Sequence, residues 1–141
     1  AGWAALSKLT QVKTVSLQRA QFTPENLKTL VEAMPQLEAI HLNETDVTDA
    51  EVRLLAQLPN LSNLGLNHTR VTDDALTALS SSTTLTRITL VGTEVTNAGL
   101  RELAKIPTLT AVHVAETQVT PQAVQAFRKL LPFCEVYEQE R

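Results

Sequence analysis

Four consecutive stretches align without a gap: LEAIHLNETDVTDAEVRLLAQLPN (37–60), LSNLGLNHTRVTDDALTALSSSTT (61–84), LTRITLVGTEVTNAGLRELAKIPT (85–108) and LTAVHVAETQVTPQAVQAFRKLLP (109–132). Leu37, Leu61, Leu85 and Leu109 are each 24 residues apart. Counting each as place 1, the shared pattern is LxxLxLxxTxVTxxxLxxL. A fixed period of this length is the signature of a solenoid, in which each turn packs only on its neighbours.

Working outward, VKTVSLQRAQFTPENLKTLVEAMPQ (12–36) carries Val12, Val15, Leu17, Phe22, Thr23, Leu27 and Leu30 at the matching places, with one extra residue. Trp3, Leu6 and Leu9 fit the second half of a preceding turn, and Phe133 and Val136 fall at the first and fourth places of a closing strand. The expected organisation is one domain, 1–141. It comprises a half-repeat (1–11), repeats 12–36, 37–60, 61–84, 85–108 and 109–132, and a closing strand and tail (133–141). The C-terminus reads as finished and the N-terminus as cut, as in a domain taken from, or following, something larger.

Each place has a physical reason. The fourth and sixth places alternate with exposed ones, the period of a half-buried strand, so Ile40 and Leu42, Leu64 and Leu66, Ile88 and Leu90, Val112 and Val114 should point inward. Thr23, Thr48, Thr72, Thr96 and Thr120 hold the twelfth place, ahead of apolar residues at helical spacing. There a hydroxyl can accept from a free backbone N–H and cap a helix. Pro24 and Pro121 follow at the first helical place, where a missing N–H costs least. Thr48 with Glu51 has the capping-box spacing, and Asp49, Asp73 and Asp74 suit a helix N-terminus. Pro35, Pro59 and Pro107 separate helix from the next strand. The expected fold is α/β: a right-handed solenoid, parallel sheet on one face and short helices on the other. Because helices are bulkier than strands, the stack should arc with the sheet inside.

These residues resemble the leucine-rich-repeat superfamily over essentially the whole chain. The segments VTDAEV, VTDDAL and VTNAGL are similar to the cysteine-containing subtype, in a bacterial 24-residue form. The ninth place, usually Asn or Cys there, is Ala20, Thr45, Thr69, Thr93 and Thr117 here; a Thr hydroxyl can serve the same buried turn with fewer hydrogen bonds. The resemblance implies protein binding through the concave sheet, and a setting within larger exported bacterial proteins, sometimes beside c-type cytochrome domains. No haem-attachment motif occurs in this sequence.

Composition narrows the function classes. Apolar residues make up 43%, and 12 Lys and Arg stand against 15 Asp and Glu, a formal charge of -3. That balance argues against a nucleic-acid binder, which needs a basic face. Aromatics are 4%, too few for a base-stacking platform. No stretch reaches the ~20 apolar residues of a membrane span, and AGWAALSKL (1–9) lacks the charged start of a signal peptide. The one cysteine, Cys134, has no internal partner and no CxxC motif.

The exposed strand places form columns on the sheet face. The third-place column is Thr14, Ala39, Asn63, Arg87, Ala111 and Glu135; the fifth is Ser16, His41, Gly65, Thr89, His113 and Tyr137. The seventh is Gln18, Asn43, Asn67, Val91 and Ala115, and the eighth Arg19, Glu44, His68, Gly92 and Glu116. The small residues among them suggest an open face. Contact with a partner is expected through His41, Asn43, Asn63, Asn67, His68, Arg87, Thr89, His113, Glu116 and Tyr137. Arg87, the one long cation of its column, suits a partner carboxylate, or alternatively pairs with Glu116. The three histidines share this face, yet His41 and His113 lie three strands apart, roughly 14 Å at ~4.8 Å per strand. Zinc ligands sit ~2 Å from the metal, so no metal site is expected; the alternatives are solvated side chains or a pH-sensitive contact.

No triad, carboxylate pair or phosphate loop is spaced for catalysis. The expected function is therefore a non-catalytic module that binds another protein, or another domain of the same protein, without cofactor, nucleic acid or membrane insertion. The alternative is a structural or assembly element packing through its solenoid ends. SSSTT (80–84) departs from the pattern, with Ser82 where Leu58 and Ile106 stand in other turns, and reads as a hydrogen-bonded descending loop.

Overall fold

The computed structural model describes residues 11–138; the half-turn carrying Trp3, Leu6 and Leu9 lies outside them. Strands and helices alternate: β1 (Thr14–Ser16), α1 (Pro24–Ala33), β2 (Ala39–His41), α2 (Asp49–Leu55), β3 (Asn63–Gly65), α3 (Asp73–Leu79), β4 (Arg87–Thr89), α4 (Asn97–Leu103), β5 (Ala111–His113), α5 (Pro121–Leu130) and β6 (Glu135–Tyr137). The strands form one six-stranded sheet in chain order. Every pair is parallel, and third, fourth and fifth places align across it, as in Ile40↔Leu64, Leu64↔Ile88 and Ile88↔Val112.

The core runs between sheet and helices as columns of identical places. Leu37, Leu61, Leu85 and Leu109 are buried, as are Ile40, Leu64, Ile88 and Val112, and Leu42, Leu66, Leu90 and Val114. Each helix adds the same places, Val52 and Leu55, Leu76 and Leu79, Leu100 and Leu103. Burying one such leucine is worth about 1.5–3 kcal/mol. A single turn exposes both flanks of this row, so only stacked turns recover that energy.

The polar places carry the stack from turn to turn. Thr45, Thr69, Thr93 and Thr117 each donate their hydroxyl to the sixth-place carbonyl of their own turn, at 2.6–2.7 Å. That is the service expected of them at the ninth place. The Thr caps also behave as expected: Thr23, Thr72, Thr96 and Thr120 accept from the first-turn N–H groups of their helices. The carboxylate of Glu51 accepts from both the N–H (3.4 Å) and the hydroxyl (2.7 Å) of Thr48.

Asp49 and Asp73 do more than sit at helix ends. Asp49 accepts from the N–H (2.7 Å) and hydroxyl of Thr72, in the following turn. Asp73 does the same for Thr96, and Asn97 for Thr120, accepting from its N–H and donating to its hydroxyl. The starts of α3, α4 and α5 are thereby clamped by the turn before each. Pro24 and Pro121 occupy the place of Asp49, Asp73 and Asn97 in the first and last described helices and extend no such clamp to the following turn.

The last turn departs from the sequence expectation. Phe133, expected at the inward first place, is 94% exposed, and Cys134 takes the buried position at 5%. The reason is helix length. Helices α2 to α4 have 7 residues, whereas α1 and α5 have 10. The first turn absorbs its longer helix with its extra residue; the last turn has none, so the chain arrives at β6 one residue short and Phe133 is turned out. Burial and the neighbouring Glu135 push the Cys134 thiol up to about 11, so it is no nucleophile at neutral pH.

Candidate functional site

Strands only three residues long present the sheet face, and the backbone ladder continues past them. Leu42, Leu66 and Leu90 donate to Gly65, Thr89 and His113, and the eighth-place N–H groups donate to the seventh-place carbonyls of the next turn. To do this and still turn the ninth-place threonine inward, the eighth residue adopts a left-handed backbone. Its φ is 61° at Arg19, 60° at Glu44, 56° at His68, 57° at Glu116 and 69° at Gly92. For a non-glycine residue that conformation costs roughly 1–2 kcal/mol. The sequence carried one hint of it, the glycine at place 92.

The first half of the face is largely spent on internal contacts. Asn67 N–H donates to Asn43 Oδ1 at 2.8 Å, and Val91 N–H donates to Asn67 Oδ1 at 2.9 Å. Asn43 and Asn67 thus form a ladder between turns that ends at Val91, which has no amide to extend it. Arg19 is held by Glu44 through two bonds, at 2.9 and 3.2 Å. The guanidinium holds the Glu44 carboxyl below its ordinary value.

The expected openness at the glycines is not there. A Cβ on Gly65 would lie 3.1 Å from both His41 Nδ1 and Asn43 Oδ1, and one on Gly92 would lie 2.3 Å from His68 Nδ1. The side chains of His41, Asn43 and His68 fill the space the small residues leave, and Gly65 is buried.

The second half gathers residues. An Arg87 guanidinium nitrogen lies 3.2 Å from His113 Nε2. The His113 and Tyr137 rings are stacked, centroids 4.3 Å apart and planes within 16°. The Tyr137 hydroxyl donates to Glu135. A guanidinium can only donate, so Nε2 is the acceptor and the imidazole proton sits on Nδ1. Burial, and secondarily the Arg87 charge, hold His113 below the ordinary imidazole value, which keeps it neutral in this role. Arg87 therefore faces His113 and not Glu116, the pairing the sequence left open. Asn63, Thr89 and Ala111 adjoin Arg87 in the sheet register. Glu116 is exposed on the turn after β5.

His41 and His113 stand three strands apart in register, with Gly65 and Thr89 between them. Among the described residues no three His, Cys, Asp or Glu side chains come together as a metal-holding group. Nor is any described helix long and apolar enough to cross a membrane. On the other side of the molecule, Ser82 Oγ accepts from the N–H groups of Thr84 and Leu85, ordering the 80–84 loop beside a cavity of about 170 Å³. The cavity opens where Ser82 replaces a larger apolar residue.

No protein-family model matches the chain, and no curated protein sequence does. Among solved structures it is similar to internalin C2 of Listeria monocytogenes, with a TM-score of 0.66 and 23% identity, over 94% of this chain and 55% of that one. It is also similar to a leucine-rich-repeat protein of Leptospira interrogans, with a TM-score of 0.62 and 23% identity, over 93% of this chain and 32% of that one. The chain thus spans about half the length of the first and a third of the second. At this identity the likeness concerns the fold.

Proposed function

We propose that this chain, whose fold is that of leucine-rich-repeat solenoids, is a non-catalytic module that binds another protein through its sheet face. The observation that carries this reading is the Arg87–His113–Tyr137 cluster. It is ordered by side-chain contacts on a surface where the fold itself requires nothing of them. Arg and aromatic residues are the side chains that dominate protein interfaces, and here an exposed Arg87 is held beside the half-buried His113 and Tyr137. Asn63, Thr89 and Glu116 flank the cluster, and His41 and His68 extend the contact surface toward the first half. Asn43 and Asn67 are given a supporting part, since their carbonyl oxygens are occupied by the ladder.

Several features speak against chemistry. Catalysis by His113 would need a hydroxyl, thiol or acid in hydrogen-bond reach; its Nε2 instead faces a guanidinium. The Cys134 thiol is buried and its pKa is raised.

The test is affinity capture from the source cells with the wild-type chain and an Arg87→Glu/His113→Glu variant, circular dichroism showing both folded. Loss of a partner by the variant alone supports the reading. Exposed Leu130 (64%) and Phe133 (94%) at the last turn favour a second one, assembly through the solenoid end within a larger exported protein. A partner kept by the double variant but lost on Phe133→Ser would make that reading the stronger.

A further inference from the structure

We propose that the Arg87–His113–Tyr137 cluster is a receptor for a carboxylate, the side chain of an Asp or Glu in the protein partner; the proposal rests on the sheet-face reading given above. The described cations in the columns of this face divide sharply. Arg19 lies 2.9 Å from Glu44 and is neutralised from the neighbouring turn, as is Lys13 just before β1, 3.1 Å from Glu38. Arg87 is the exception. Among the described residues no carboxylate lies within salt-bridge distance of it, and its contact is a ring nitrogen 3.2 Å away.

That arrangement suits an incoming acid. A guanidinium carries five N–H donors in a planar fork, and one bond to Nε2 leaves enough for a bidentate carboxylate. His113 orients the fork without cancelling its charge, which a carboxylate in the same place would do. The ring is itself fixed by stacking on Tyr137, so little side-chain entropy remains to be lost on binding. Ala111 lies between Arg87 and Glu135 in the third-place register and puts only a methyl group beside the fork. Glu135, two strands along the same column, is engaged by the Tyr137 hydroxyl. The amide of Asn63, on the neighbouring strand, and the hydroxyl of Thr89, two residues along the same strand, are further hydrogen-bonding groups near it. One acidic side chain, entering over Ala111, meets the open fork of Arg87.

The probe is the peptide (Gly-Glu)4, with (Gly-Gln)4 as its uncharged counterpart, titrated into the isotope-labelled full chain and followed by NMR. The expected result is a saturable shift of the Arg87 Nε–H and of the Ala111 and His113 amides by the acidic peptide, with the amide peptide at least about tenfold weaker. Arg87→Gln should remove the response, Arg87→Lys should weaken it, and Arg70→Gln, on the ascending loop, should leave it unchanged. Equal binding of the two peptides, or a response that survives Arg87→Gln, overturns the proposal. A second arm separates it from the broader reading. If the captured partner is lost by Arg87→Glu/His113→Glu but bound at full strength by Arg87→Gln, the face binds protein and the carboxylate receptor is wrong. If Arg87→Gln also loses that partner, the proposal gains its main support.

Discussion

The two halves of the sheet face are built from the same columns and do different work. In the first, Asn43 and Asn67 pass a hydrogen bond from turn to turn, Arg19 closes on Glu44, and His41 and His68 lie over glycines. In the second, the ladder has ended at Val91; Arg87 meets a ring nitrogen of His113, and His113 stacks on Tyr137, whose hydroxyl is bonded to Glu135. A polar residue at an exposed place is therefore no guide to recognition by itself. What matters is whether the neighbouring turn has already used its hydrogen-bonding capacity.

The largest effect that tests this contrast should come from Asn67→Ala. It strands the Val91 N–H, and a buried donor left without a partner costs roughly 1–3 kcal/mol. Arg87→Ala, on an exposed residue outside any ladder, should stay within about 0.5 kcal/mol. Urea unfolding of both variants checks the pair; equal losses would erase the distinction between the halves.

A comparable effect is expected at Gly92, where φ is +69° and a Cβ would collide with the His68 ring. Gly92→Ala should cost about 1–2 kcal/mol through left-handed backbone alone, with the collision added. The same substitution in a His68→Ala background should recover the collision part and keep the backbone part. A cost that vanishes entirely in that background would show that the left-handed turn is not strained.

The smallest effect concerns pH. His113 titrates below its ordinary value in the folded chain, while the unfolded chain protonates near ~6.5. Above that value both states are neutral and the contribution to stability is complete. As pH falls below it the unfolded state binds the proton first, and the contribution is lost through the folded value. The wild type should therefore lose more stability than His113→Gln between neutral and mildly acidic pH, read as the shift in urea midpoint. Parallel curves would remove His113 from the account.

Much of the fold was legible in the sequence because a 24-residue period repeats every core demand in register. The inward columns, the twelfth-place Thr caps and the ninth-place hydroxyls follow from one turn seen several times. Phe133 was misplaced because register depends on helix length, and the alignment gives no sign that α5 runs three residues beyond α2, α3 and α4. The site was legible only as a face. Asn43 and Asn67, 24 residues apart in one column, carried the signal of a ladder, but their spacing fits free contact residues equally well. The choice of Arg87 for His113 over Glu116 depends on side-chain directions that no periodicity contains.

The clamps between helix starts have a consequence for how such a chain can change length. The turn 61–84 receives a clamp at Thr72 and extends one from Asp73. A tandem duplication of its coding segment would give each copy a donor facing an acceptor on both sides. The added turn would join existing surfaces and require no compensating change. Turns bearing Pro24 or Pro121 lack the outgoing half of that joint, so a copy of either would interrupt the row. Growth by duplication is thus open to the middle of the array and closed to the turns whose helices begin at Pro24 and Pro121.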